Sequence, residues 1–265
     1  MELTISFQGM DADDHRIEAY AGIESAAGIA RALTLIAHFA STGKVRHRFP
    51  FSPDAQVYLE GTEEGSFNWR MVVKISGTLA LGMAGNALYD LTKSVIATAL
   101  GESYEVSNST VESAMKSRSG DYDALVEAIE PALKKAHYGI GETATKIIIR
   151  EKSEREAIIE LDARSKSYLF DSADGGLSSQ DVSVSSLNVN DRTGRAYFLD
   201  LRRTIPFRIS RDAAPDTMST ISASLNSYAN NQPAPIRLTF KRIEATDGRL
   251  KRVEVYRAED VSDQD

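Results

Sequence analysis

At 265 residues, with 42% hydrophobic and 26% charged side chains, the chain is large enough to bury a core without covalent staples. The absence of cysteine excludes disulfides, thiolate nucleophiles, zinc–cysteine sites and iron–sulfur clusters, and fits a reducing, cytoplasmic compartment. A net charge of −7 argues against a surface that is basic throughout, but residues 181–257 carry 13 basic and 8 acidic side chains, an excess of +5 that leaves −12 for the rest.

Leu3, Ile5 and Phe7 alternate with Glu2, Thr4 and Ser6, the period-2 pattern of a half-buried strand. Beyond the acidic turn Asp11-Ala12-Asp13-Asp14, His15 to Ala21 is expected as its antiparallel partner. No basic stretch precedes an apolar run here, so a secretory signal is not expected. Ile29, Leu33, Ile36 and Ala40 recur at helical spacing and predict a helix over 23–40, ended by Thr42-Gly43. Strands over 55–60 and 66–76 flank the turn-rich Gly61 to Gly65 and read as a hairpin.

Residues 75–89 hold no charge and include Gly77, Gly82 and Gly85 among alanines. Fifteen residues fall short of the roughly 20 that span a bilayer, so the segment predicts a helix packed closely against a neighbour. Gly77, Gly82 and Gly85 are its candidate oligomer or membrane contacts. A short helix is expected from Ser109 and a clearer one over 122–137, with Pro131 inside it. Ile147 to Ile149 and Ile158 to Leu161 fit helix or strand equally. The charged run 152–156 marks a domain boundary, giving an N-terminal α+β domain over 1–150 and a mainly β domain over 151–265. In the second, short strands, the turn Asn190 to Gly194, a helix over 215–228 and a hairpin around Asp247-Gly248 predict a small barrel of the OB or SH3-like kind.

No motif for catalysis or metal binding emerges. His15, His38, His47 and His137 include no pair at metal-ligand spacing, and no G-x-S-x-G is present. Thr42-Gly43-Lys44 lacks the earlier glycine of a phosphate loop and reads as a helix C-terminus. Asp11, Asp13 and Asp14 lack the glycine and distal glutamate of a calcium loop. No cofactor or metal is expected.

The basic cluster is the most suggestive pattern. Arg192, Arg195, Arg202, Arg203, Lys241, Arg242, Arg249, Lys251 and Arg252 are interleaved with Tyr197, Phe198, Phe207, Phe240 and Tyr256. Aromatics and cations on one barrel face would stack bases and neutralise phosphates, making these nine the candidate nucleic-acid contacts. The competing reading puts the aromatics in the core and the cations in solvent, as in any two-faced sheet.

Gly28-Ile29-Ala30-Arg31-Ala32-Leu33, Gly65-Ser66-Phe67, Ala87-Leu88-Tyr89-Asp90-Leu91, Thr193-Gly194-Arg195-Ala196 and Ile205-Pro206-Phe207 together resemble an uncharacterised family of bacterial proteins, over most of the chain. The resemblance implies a bacterial origin and brings no established activity or site residue. Some such families sit in phage-defence operons, which makes antiviral defence an expectation.

The leading expectation is a non-enzymatic binding or assembly protein, homo-oligomeric through the small-residue helix and engaging a protein partner through the barrel. The alternatives are nucleic-acid binding by the barrel, membrane perturbation through residues 75–100, and an enzyme whose site assembles only in the fold.

Overall fold

The fold was analysed in a computed structural model, which describes all residues except 64–66, 77–85, 103, 153–157, 171, 231, 233, 246–247, 249 and 262–265. The chain divides into two units, residues 1–117 with 125–170, and residues 118–124 with 171–265. It is α+β, with an antiparallel sheet and helices in the first unit and a closed five-stranded barrel in the second.

The N-terminal sheet has the order β2-β3-β1-β4-β5, built from β1 (Glu2–Gln8), β2 (Ala55–Glu63), β3 (Asn68–Ile75), β4 (Lys146–Glu151) and β5 (Ile159–Leu161). β1 is central: Leu3 and Ile5 face Met71 and Trp69 on one side, and Ile5 faces Ile149 on the other. The ambiguous isoleucines are thus strands. The expected partner strand over 15–21 does not form. Residues 10–14 make a 3-10 turn, and α1 (Ala19–Thr42) starts within that segment. Glu18 decides this locally, because its carboxylate accepts from the N–H groups of Tyr20 and Ala21 at 3.2 and 2.7 Å and caps the helix. Gly43, at φ 67°, closes α1 with its N–H on the Phe39 carbonyl at 2.7 Å.

By length and composition α1 is, among the described residues, the one helix able to cross a membrane, and 67% of the relevant window is buried in the fold. α2 (Asn86–Ala99), α3 (Ser109–Ser117) and α5 (Ala163–Phe170) belong to the same unit. α4 (Ser119–Ala136) runs through Pro131 as one element, its first residues counted with the barrel unit. The division between units follows Phe170, later than the boundary expected at 150, because β5 pairs with β4 and completes the first sheet.

The barrel comprises β6 (Ser172–Asn188), β7 (Thr193–Phe198), β8 (Arg203–Ile209), β9 (Ile236–Ala245) and β10 (Leu250–Asp260), closing in the order β10-β8-β7-β6-β9. β8 and β10 pair parallel, all other neighbours antiparallel, and α6 (Thr217–Ala229) lies between β8 and β9 in sequence. This Greek-key connectivity is that of an OB fold. Alternation points Val182, Phe198, Phe207, Leu238, Phe240 and Val253 inward, and Ile221 of α6 joins that core.

Candidate binding surface of the barrel

The outer surface of the barrel sorts the aromatics into two groups. Phe198, Phe207 and Phe240 are interior, the first and last in an edge-to-face contact at 5.3 Å. Tyr197 and Tyr256 occupy alternate positions and face outward. On β7 and β8, Tyr197 stands opposite Thr204, and Arg195 opposite Pro206. On β9 and β10, Lys241 stands opposite Glu254, and its ammonium lies 5.7 Å from the Tyr256 ring centroid. Glu254 accepts the Tyr256 hydroxyl at 3.0 Å, and this hydrogen bond raises the phenol above its ordinary value.

The basic residues serve several purposes. Arg192, at φ 59°, donates to the carbonyls of Ile209 and Ser210 at 3.3 and 2.7 Å, fastening the β6–β7 turn to the end of β8. Arg195 forms a bidentate ion pair with Asp123. Arg242 pairs with Glu244 at 2.7 Å, as does Arg237, outside the predicted cluster, with Asp181 at 2.8 Å. Arg202 is exposed in the β7–β8 turn, while Lys251 and Arg252 are half-buried on β10. Arg203 opens β8. Arg249, Gly77, Gly82 and Gly85 lie outside the described residues.

Asp123 had no signal in the sequence. It lies in the segment 118–124, where Arg118 pairs with Asp121, Asp121 accepts from the Asn188 side chain at 3.1 Å, and Gly120 abuts the Leu187–Asn188 backbone. Burial raises the Asp123 carboxyl above its ordinary value, against the opposing pull of the guanidinium. With arginine always protonated and both carboxylate oxygens engaged, the pair is ionised. This segment therefore occupies the outer face of β7 beside Arg195.

Besides Leu177, Val189 and Tyr228, the barrel unit exposes three apolar side chains close together in sequence at the end of β7. Tyr197 is 38% exposed, and Leu199 and Leu201, in the turn to β8, are 43% and 36% exposed.

In the first unit, the acidic cluster is absorbed by local structure: Asp13 accepts from the Gly9 N–H at 2.7 Å, Asp11 from the Thr143 hydroxyl at 3.1 Å, and Arg16 pairs with Asp11 and Asp14. No group of three or more metal-ligating side chains occurs among the described residues. His15 and His47 are exposed; His38 is buried and accepts from the Ser52 N–H at 2.9 Å. His137 Nε2 lies 2.8 Å from Ser165 Oγ, the spacing of a base and an activated hydroxyl. Both side chains are buried, however, and Ser165 completes a reciprocal cap of α5 with Asp162 at 2.9 and 2.8 Å. The pair is thus built into the core.

No curated protein and no solved structure matches the chain. Residues 177–259, covering most of the barrel, match a family of unknown function (DUF7947). Residues 3–170 match a domain of unknown function (DUF7946), and the chain belongs to that family, for which no activity is established.

Proposed function

We propose that the chain is a non-enzymatic binding protein whose barrel engages a protein partner through the end of β7 and the β7–β8 turn. One observation carries this reading: Tyr197, Leu199 and Leu201 are exposed together in sequence, while Arg192, Arg195 and Arg242 are held by carbonyls and carboxylates of the protein itself. Contiguous exposed apolar side chains mark contact surfaces more often than scattered ones do. The lack of cysteine supports a cytoplasmic location. Replacing Leu199 and Leu201 by serine is expected to abolish stoichiometric co-purification of a partner from native cells while leaving the melting temperature unchanged. Retained co-purification would overturn this assignment.

A second reading, nucleic-acid binding, draws on Lys241, Tyr256 and Arg252, which face outward on neighbouring strands of an OB barrel. Fluorescence anisotropy with labelled single-stranded DNA and RNA separates the two. Salt-sensitive binding lost in a Lys241→Glu, Arg252→Glu variant would assign the barrel to nucleic acid. The protein-partner reading expects no such binding.

A further inference from the structure

The outer edge of the N-terminal sheet belongs to the first unit. Among the described residues, β2 is the last strand on that side and pairs with β3 alone. The Ser76 N–H donates to the Asp54 carbonyl across a directly opposed pair of the same ladder. Gln56, Tyr58 and Glu60 therefore turn their backbone groups toward β3, and Val57 and Leu59 turn theirs outward. Natural edges are blunted by proline, by lysine or by brevity. β2 runs for nine residues with neither proline nor lysine, and its one bulge, between Glu60 and Thr62, leaves residues 55–60 regular. Leu59 is 61% exposed although it stands opposite the buried Met71, and Tyr58, on the other face, is 41% exposed.

We propose that β2 pairs antiparallel with the β2 of a second copy of this chain, Tyr58 opposite Tyr58. Three features of the strand agree on this register. First, Val57 and Leu59, whose N–H and C=O groups point outward, fall opposite the partner's Leu59 and Val57, so each pair exchanges two backbone hydrogen bonds. Second, the row running inward from each side becomes Met71, Leu59, the partner's Val57 and the partner's Val73, which covers Leu59 with apolar neighbours. Third, no like charges stand opposite one another across the pairing. Glu60, 3.2 Å from its own Arg70, falls beside the partner's Gln56, which is itself opposite the partner's Lys74. Glu60 of each strand thus meets a neutral amide, twice by symmetry.

The absence of cysteine makes a direct test simple. Tyr58→Cys places its one thiol at a non-hydrogen-bonded pair, where opposed Cβ atoms lie about 4.5–5.5 Å apart, within reach of a disulfide. Mild oxidation should convert this variant to a covalent dimer, while Gln56→Cys, facing Glu60, should remain uncrosslinked. Val57→Pro removes only an outward N–H, so far-UV circular dichroism should be unchanged while the dimer dissociation constant in sedimentation equilibrium rises by about tenfold or more. A monomeric wild type, equal crosslinking of the two cysteine variants, or undiminished dimerisation of folded Val57→Pro would each overturn the pairing. None of these outcomes bears on the barrel, whose partner binding is read separately through Leu199 and Leu201.

Discussion

Arg195 grips Asp123 through two hydrogen bonds, Nε to Oδ2 at 2.6 Å and Nη2 to Oδ1 at 2.7 Å, with the carboxylate almost fully buried. The pair fastens residues 118–124 to the outer face of β7. It also withdraws a cation of the predicted cluster from solution chemistry. Removing one member strands the other, so Arg195→Ala should lower unfolding free energy by about 3–5 kcal/mol in urea titration. Asp123→Asn, which keeps a hydrogen-bond acceptor, should cost less. Equal and negligible effects would show the pair to be ornamental.

His137 predicts a pH dependence. Burial pushes its imidazole down from 6.5 to about 4, against smaller opposing effects of the Leu133 carbonyl and Asp162; Lys166 adds to the depression. The unfolded chain therefore takes up this proton first as pH falls. Above 6.5 both states are neutral there and the residue adds no slope; between 6.5 and about 4 stability is lost, by about 3 kcal/mol in all. His137→Gln should flatten this segment of the stability–pH curve, checked by urea unfolding across that range.

Asp90 anchors the connector between α2 and α3. One carboxylate oxygen accepts from the Tyr104 hydroxyl at 2.6 Å, the other from the Ser107 hydroxyl at 3.0 Å and the Asn108 N–H at 2.6 Å. Burial raises this carboxyl, but the hydrogen bonds outweigh it and hold it below its ordinary value. Asp90→Ala should cost about 2–4 kcal/mol, since it leaves three donors without their acceptor. Hydrogen exchange should speed up at Asn108 in particular.

Gly28 marks a close approach of α1 and α4. A Cβ there would lie 2.3 Å from the Ala136 nitrogen and 2.6 Å from the Ala132 carbonyl oxygen. Gly28→Ala gains up to about 1 kcal/mol in helix propensity but forces backbone apart, and overpacking of this kind costs about 1–3 kcal/mol. A net fall in melting temperature is expected.

How much of this was legible from the sequence depended on distance along the chain. The alternation of Leu3, Ile5 and Phe7, the helical stripe from Ile29 to Ala40, the Gly43 stop, the hairpin around 190–194 and the antiparallel pairing of the last two strands are local patterns, and each appears in the fold. The partners of β1 were not legible, because Met71 and Ile149 are brought to Leu3 and Ile5 by pairing that no short window encodes. The segment at 15–21 was misread because Ile17, Ala19 and Ala21 suit a strand until the Glu18 cap is considered. Within the barrel, both readings treated the five aromatics as one set, whereas the fold buries the phenylalanines and turns Tyr197 and Tyr256 outward; the ion pair of Asp123 with Arg195 joins residues far apart in sequence and had no local signature.

The claim that the barrel engages a protein through the β7–β8 turn is tested most directly by site-specific photo-crosslinking in native cells. A photoreactive residue at Leu199 should give one discrete adduct with another protein, and the same residue at Ser179, exposed on β6, should give none. Absence of an adduct at Leu199, or the same adducts at both positions, would contradict the account.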